Sequence, residues 1–121
     1  MRCAIVDEND VIVGCVNLLN IDDINRCAEL HIMVGSEENR GKGIGSFAVF
    51  SIVNHAFYNL NLRRIQLEVL SNNQAAQKLY HKMGFIEEGR KRTAVDKDGQ
   101  YVDEIIMGLL RDEYVRAHSS G

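Results

Sequence analysis

The sequence predicts an α/β fold with a mixed sheet, in which the elements follow the order βββαβαββ. Two observations carry this prediction. Short β-branched runs alternate apolar with polar residues, which is the period of a strand, whereas two longer stretches repeat apolar residues every three or four positions, which is the period of a helix. Both helical stretches stand between strands, and this alternation is typical of α/β folds.

Three strands are predicted before the first helix. Residues 2–7 and 11–19 are β-rich and are separated by Glu8-Asn9-Asp10, which is typical of a turn, so they should form a hairpin. Residues 27–34 form the third strand, and residues 35–39 lead from it into a glycine-rich stretch.

The first predicted helix covers residues 43–59 and should be largely buried. Its apolar positions recur at helical spacing and are Phe47, Val49, Phe50, Val53, Ala56, Phe57 and Leu60.

A strand, a second helix and a closing hairpin follow. Residues 64–70 alternate as a strand, and residues 73–83 carry one apolar helical face that Gly84 ends in the C′ position. Residues 85–93 and 101–110 are the arms of the hairpin. They are joined by a loop that contains Asp98-Gly99.

Length and composition predict one domain over residues 1–110 and a frayed tail over 111–121. The net charge of −3, without clusters of basic residues, argues against nucleic-acid binding and is compatible with a cationic substrate. The absence of a long apolar run or a signal-like start predicts no membrane association and a cytoplasmic location. The three cysteines, Cys3, Cys15 and Cys27, form no Cys-x-x-Cys pair, so we expect reduced core residues and no metal site.

Residues 39–46, Asn-Arg-Gly-Lys-Gly-Ile-Gly-Ser, place a glycine at every second position just before a helix. Glycine lets backbone N–H groups approach an anion closely, and the helix dipole is positive at this end. The spacing fits neither a Walker A loop nor the dinucleotide fingerprint. The stretch predicts a phosphate cradle, with an ordinary helix entry as the alternative.

Several motifs resemble the GCN5-related N-acetyltransferase (GNAT) superfamily. Arg40, Gly43 and Gly45 resemble its Arg/Gln-x-x-Gly-x-Gly/Ala pyrophosphate loop, and residues 73–85 resemble its Asn-x-x-Ala-x-x-x-Tyr…Gly-Phe signature. The later segment 88–107 is similar to the sub-group of ribosomal-protein, spermidine and nucleotide-amino-sugar N-acetyltransferases. The order of the elements is also that of the superfamily from its second strand onward.

The resemblance implies acetyl-coenzyme A as co-substrate and no metal. By resemblance, the pantetheine arm of the cofactor lies along the third strand and near Asn73. The alternative role of the strand residues is simple core packing. The alternative role of Arg40 is that of a loop cation exposed to solvent. The implied cofactor residues are Ile32, Met33, Val34, Arg40, Gly41, Lys42, Gly43, Ile44, Gly45, Ser46 and Asn73.

An acceptor ammonium must lose a proton before its nitrogen attacks the thioester, and a carboxylate accepts such a proton. Glu68 and Glu29 are the candidate bases. Glu68 lies five residues before Asn73, as the glutamate base of ribosomal-protein alanine acetyltransferases does, and Glu29 lies in an Ala-Glu-Leu setting shared with spermidine and amino-sugar relatives. Either carboxylate has a purely structural alternative. His31, two residues from Glu29, should face the same way.

Expulsion of coenzyme A is easier when a proton or hydrogen-bond donor lies at the sulfur. Tyr80 matches the general-acid tyrosine of the family, and its alternative is an aromatic core residue. The resemblance also implies that a backbone N–H near Met33 or Val34 meets the developing oxyanion.

Relative to a typical member, the sequence lacks the first strand and two helices, which usually form one wall of the acceptor site. We expect a homodimer that covers the exposed surface. The predicted activity is direct acetyl transfer to a primary amine, which is a protein amino terminus, a polyamine or an amino sugar. A coenzyme-A-binding module without catalysis is the alternative.

Overall fold

The computed structural model describes residues 2–6, 12–34 and 44–118. By its contacts the chain divides into two compact units, Met1–Arg63 and Arg64–Gly121, which are described in turn. The predicted turn at Glu8-Asn9-Asp10 and most of the glycine-rich stretch lie outside the described residues.

The first unit is an antiparallel three-stranded arrangement with one helix against it. Strand β1 spans Arg2–Val6, β2 spans Ile12–Asp22 and β3 spans Cys27–Val34, and helix α1 spans Ile44–Tyr58. Strand β2 pairs with both neighbours, and α1 approaches all three strands. The predicted order is therefore confirmed here, with β2 extending three residues past its predicted end.

The core of the first unit follows from the strand period of two residues and the helix period of 3.6 residues. Along β2, Val16 and Leu18 are buried while Leu19 is exposed, as alternation in a strand requires. Phe50 and Leu60, expected in the buried stripe of the helical stretch, are both exposed. The stripe of α1 runs through Val49, Ile52, Val53, Ala56 and Phe57, which leaves Phe50 beside it, and Leu60 lies beyond the end of the helix at Tyr58. The buried apolar residues are Val16, Leu18, Ala28, Leu30, Val49, Ile52, Val53, Ala56, Phe57 and Leu62.

Cys15 and Cys27, expected as reduced core residues, are free thiols, but both are only partly buried and lie at the margin of the core. Cys15 stands on the side of β2 opposite to the buried Val16 and Leu18, and Cys27 begins β3 beside the turn. Its Sγ donates to the carbonyl of Asn25 at 3.2 Å.

The second unit places a helix between two strands and closes with a long hairpin. Strand β4 spans Arg64–Leu70, helix α2 spans Gln74–Met83, β5 spans Ile86–Lys97 and β6 spans Gln100–Leu110. Strand β6 pairs antiparallel with β4 on one side and with β5 on the other.

Helix α2 has the ends that the sequence predicts. The Asn73 side chain caps its start by accepting the N–H of Ala76 at 3.1 Å, and Gly84 ends it with φ 109°. This left-handed conformation is open to glycine at little cost, and the Gly84 N–H then reaches the carbonyl of His81 at 3.0 Å. The predicted C′ glycine is confirmed.

A bulge makes β5 longer than predicted. Residue pairing is interrupted between Lys91 and Val95, and Thr93 adopts φ 47°, which is unusual for a β-branched residue. Asp103 on β6 holds the bulge, because its carboxylate accepts the Thr93 N–H at 2.8 Å and binds Arg90 Nη1 at 3.0 Å. These hydrogen bonds, led by the one from Thr93, lower the pKa of Asp103. The strand therefore resumes at Val95.

The segment expected to fray contains a helix, α3, over Arg111–His118. Glu113 caps its start by accepting the Leu110 N–H at 3.0 Å. Tyr114 is fully buried, with 0% of its surface exposed. The short helix is thus tied to the second unit by one aromatic side chain.

Gly108 on β6 leaves room for the carboxylate of Glu88, and we expect Gly108→Ala to destabilise the protein by about 0.5–1 kcal/mol, because the new Cβ would displace a partly exposed ion pair. A Cβ there would lie 2.6 Å from the carboxyl carbon of Glu88, which Arg64 holds with two hydrogen bonds of 2.5 and 2.8 Å. Urea unfolding measures the effect. Gly89→Ala is the matched control, because its nearest neighbour is Ile106 Cδ1 at 3.8 Å, and equal losses in the two variants would contradict the explanation.

Candidate active site

The candidate acid, Tyr80, lies inside the second unit on α2. Only 4% of its surface is exposed, and its ring meets Phe85 edge to face with centroids 5.8 Å apart. Burial raises the pKa of Tyr80 to about 12. The phenol therefore keeps its proton at neutral pH and is available as a donor.

Asn73, predicted near the pantetheine, has a structural role in the described residues. Its side-chain oxygen caps α2, and its carbonyl accepts the Gln77 N–H at 3.2 Å. The cap fixes the first turn of the helix that carries Tyr80. Contact between Asn73 and a cofactor stays a prediction.

Glu68 lies on β4 with its side chain opposite to the buried Leu67 and Val69. Its carboxylate binds Lys91 Nζ at 2.7 Å, and 33% of the Glu68 side chain is exposed. Glu104 is a further member of this cluster. Its pKa is raised by burial first and by the nearby Glu68 carboxylate second. The sequence prediction found Glu68 but neither Lys91 nor Glu104.

Glu29 and His31 share one side of β3 in the first unit, as predicted. Glu29 Oε2 accepts the Asn20 amide at 2.7 Å and lies 3.7 Å from His31 Nε2. Asn17 pairs with His31 across the strands, and its side-chain oxygen is buried without a hydrogen bond among the described residues. This side of the first unit is lined by hydrogen-bond acceptors, including one carboxylate.

The predicted cofactor residues are only partly described. Ile32 is partly buried on β3, and the backbones of Met33 and Val34 pair with Cys15 and Gly14 of β2. Arg40, Gly41, Lys42 and Gly43 lie outside the described residues, whereas Ile44, Gly45 and Ser46 form the first turn of α1. The predicted helix start is confirmed. The leading N–H groups of a helix have no partner within it, so this turn has donors to offer an anion.

Within residues 2–6, 12–34 and 44–118 there is no group of three or more His, Cys, Asp or Glu side chains suited to a metal ion. In the same ranges, no helix has the length and apolar character that crossing a membrane requires.

Residues 1–85 match the family model described as Acetyltransferase (GNAT) family, and the chain belongs to this family. It is 32% identical to the spermidine N(1)-acetyltransferase of Vibrio cholerae over 94% of this chain and 65% of that protein. It is 33% identical to the Escherichia coli K12 enzyme of the same name over 88% of this chain and 57% of that protein. YdaF of Bacillus subtilis, provisionally named a ribosomal N-acetyltransferase, is 31% identical over 84% and 55%.

Solved structures of N-acetyltransferases are also similar to this chain. Mutant forms of the Vibrio cholerae spermidine/spermine N-acetyltransferase SpeG superpose with a TM-score of 0.87 at 31% identity, covering 98% of this chain and 70% of that chain. A dodecameric structure of the Vibrio cholerae enzyme gives 0.88 at 31% identity, over 98% and 68%. The predicted fold class and family resemblance are confirmed. The chain spans about two thirds or less of the length of the curated relatives it matches.

Proposed function

We propose that the protein transfers the acetyl group of acetyl-coenzyme A directly to a primary amine, without a covalent intermediate on the enzyme. Tyr80 is the observation that carries the proposal. It is a buried, protonated phenol at the position where the family has its general-acid tyrosine. The helix that carries it starts at the Asn73 cap and ends at Gly84, and both residues belong to the family signature.

In this proposal the cofactor is held by main-chain groups. The β3 backbone at Ile32, Met33 and Val34 runs along the pantetheine arm, and the glycine-rich stretch together with the first turn of α1 binds the phosphates. What supports this assignment is the family match over residues 1–85 and the start of α1 at Ile44, within the glycine-rich stretch. Arg40 would add a charge-assisted hydrogen bond to a phosphate.

The proposed reaction needs a base and a donor. A carboxylate, Glu68 or Glu29, takes a proton from the acceptor ammonium, which frees the lone pair to attack the thioester carbon. The C–S bond then breaks, its electron pair leaves with coenzyme A as the thiolate, and the nitrogen releases its second proton to solvent. Tyr80 donates a hydrogen bond to the departing thiolate, because full proton transfer from a phenol of pKa about 12 to a thiolate of pKa about 8.5 is uphill.

We propose a polyamine as the first acceptor to test, with protein amino termini and amino sugars as the other classes. Two of the similar proteins are named spermidine acetyltransferases. The side of β3 around Glu29 carries hydrogen-bond acceptor groups, which suit a cationic ligand.

Self-association also stays a prediction. The similar Vibrio cholerae enzyme forms a dodecamer, which supports the expectation that copies of this chain associate. The cytoplasmic location stays a prediction too.

An acetyl-coenzyme A consumption assay with a panel of polyamines, peptides and amino sugars tests the function. Release of free thiol that depends on one amine class, with the acetylated amine found by mass spectrometry, is the expected result. Coenzyme A binding without transfer to any amine would instead identify a binding module.

Gly43→Val is expected to abolish the thermal stabilisation that coenzyme A gives, because a side chain would stand where the pyrophosphate needs the backbone. In the parent, ligand at about 100 times its Kd should add about 2.7 kcal/mol of stability. Thermal unfolding with and without coenzyme A measures the difference. NAD and ATP are the control ligands and should give little shift, and an undiminished coenzyme A shift in the variant would refute the cradle.

A further inference from the structure

Three charged side chains from three strands meet on one side of the second unit. Glu68 lies on β4, Glu104 on the central strand β6 and Lys91 on β5, where it is paired directly opposite Glu104. Lys91 reaches across β6 to bind Glu68 Oε1 at 2.7 Å. We refer to these residues as the Glu68 cluster.

The backbone on either side of the cluster is fixed. Lys91 stands at the edge of the β5 bulge, and its neighbour Arg90 binds Asp103, which in turn holds Thr93. The carbonyl of Asp103 also accepts the Ser71 N–H at 2.9 Å, in the turn that follows β4. Asp103 thus anchors the strands that carry all three members.

Among the described residues, this side of β4, β5 and β6 also carries Arg64 and Glu88, which bind each other through two hydrogen bonds. It carries Lys97 as well, at the far end of β5 opposite Gln100. Arg64 also donates to the Gln66 side chain at 3.0 Å. This pairing sets the Glu88 carboxylate against Arg64, and it lowers the pKa of Glu88 mainly through the hydrogen bond from Arg64. Within the described strands, Lys91 binds Glu68 directly, and Glu104 lies close enough for the two carboxylate charges to interact.

The two neighbours act on Glu68 in opposite directions. The ammonium of Lys91, 2.7 Å from Glu68 Oε1, favours the ionised carboxylate, which is the form that can accept a proton. The carboxylate of Glu104 repels that charge and so favours protonation of Glu68. The same repulsion acts on Glu104, whose pKa is raised first by burial and second by the Glu68 charge.

We propose that Lys91 and Glu104 are positioning residues that set, in opposite directions, the proton affinity of Glu68 as the base of the reaction. The inference rests on the proposed function and selects Glu68 over Glu29. In the step concerned, the N–H bond of the acceptor ammonium breaks, the proton forms an O–H bond with Glu68, and the electron pair stays on nitrogen. The proton then leaves Glu68 for solvent, with Glu104 stabilising the protonated state.

The pH dependence of kcat/KM tests the proposal. Lys91→Met should move the acidic limb to higher pH by about half a unit to one unit, and Glu104→Gln should move it to lower pH by a similar amount, since both groups are partly exposed. Lys91→Arg keeps the charge and is the matched control, which should behave as the parent. The double variant Lys91→Met, Glu104→Gln should return close to the parental limb.

Opposite shifts in the two single variants are the supporting result, because a merely structural role would lower activity without moving the limb. Unmoved limbs, or shifts in the same direction, in variants that still turn over would overturn the inference while leaving the proposed function in place. Failure of the proposed function looks different, because the parent itself would then acetylate no amine. A parental profile in Glu68→Gln would also overturn the inference by assigning the base elsewhere.

Discussion

Tyr80→Phe is expected to lower turnover by about 10²–10³, the range typical of losing one hydrogen-bond donor to a developing negative charge. The variant keeps the edge-to-face packing on Phe85, so the fold and coenzyme A binding should persist while the donor to the leaving thiolate is lost. Steady-state kinetics under conditions where chemistry limits the rate, together with coenzyme A binding by calorimetry, separates the two effects.

Tyr101→Phe is the matched control for this experiment. Tyr101 is a tyrosine of the same unit with 70% of its surface exposed, so loss of its hydroxyl should leave turnover unchanged. Parental turnover in Tyr80→Phe would remove Tyr80 from the mechanism. Equal losses in the two variants would point to a general effect of the substitution.

Tyr114→Ala is expected to cost about 3–5 kcal/mol of unfolding free energy, the range for truncating a buried large aromatic side chain. Tyr114 is fully buried and holds α3 to the rest of the second unit. Because single domains are stable by only about 5–15 kcal/mol, this loss is a large fraction of the total. Urea unfolding followed by circular dichroism measures it.

Ala117→Ser, an exposed position on the same helix, is the control and should change the unfolding free energy by less than about 0.5 kcal/mol. If Tyr114→Ala behaved like Ala117→Ser, the segment after β6 would contribute little to stability, as a frayed end would. Tyr114 would then not anchor the helix.

Local sequence patterns determined most of the fold. Strands β3 and β4 have the predicted bounds, and α2 begins after the Asn73 cap and ends at Gly84. These features depend on side-chain period, capping and the freedom of glycine to adopt positive φ, all of which act within a few residues. The family and the candidate acid Tyr80 followed from the same short motifs.

Local sequence patterns did not predict the helix that follows β6. The segment 111–118 is short and mostly polar, so its own pattern favours fraying. The burial of Tyr114 decides otherwise, because none of its surface is exposed once the chain has folded. Phe50 shows the opposite error, because the apolar helical pattern predicted its burial and the side chain is exposed.

The order of the elements and the family follow from motifs along the chain, which also name Glu68 and Tyr80 as candidates. The surroundings of Glu68 depend on how the strands pair. The Asp98-Gly99 turn pairs Val95 with Val102, and a regular hairpin continued from there would place Lys91 opposite Ile106. The bulge held by Asp103 places Lys91 opposite Glu104 instead. Its register depends on hydrogen bonds between strands, and a pattern confined to one strand does not contain that information.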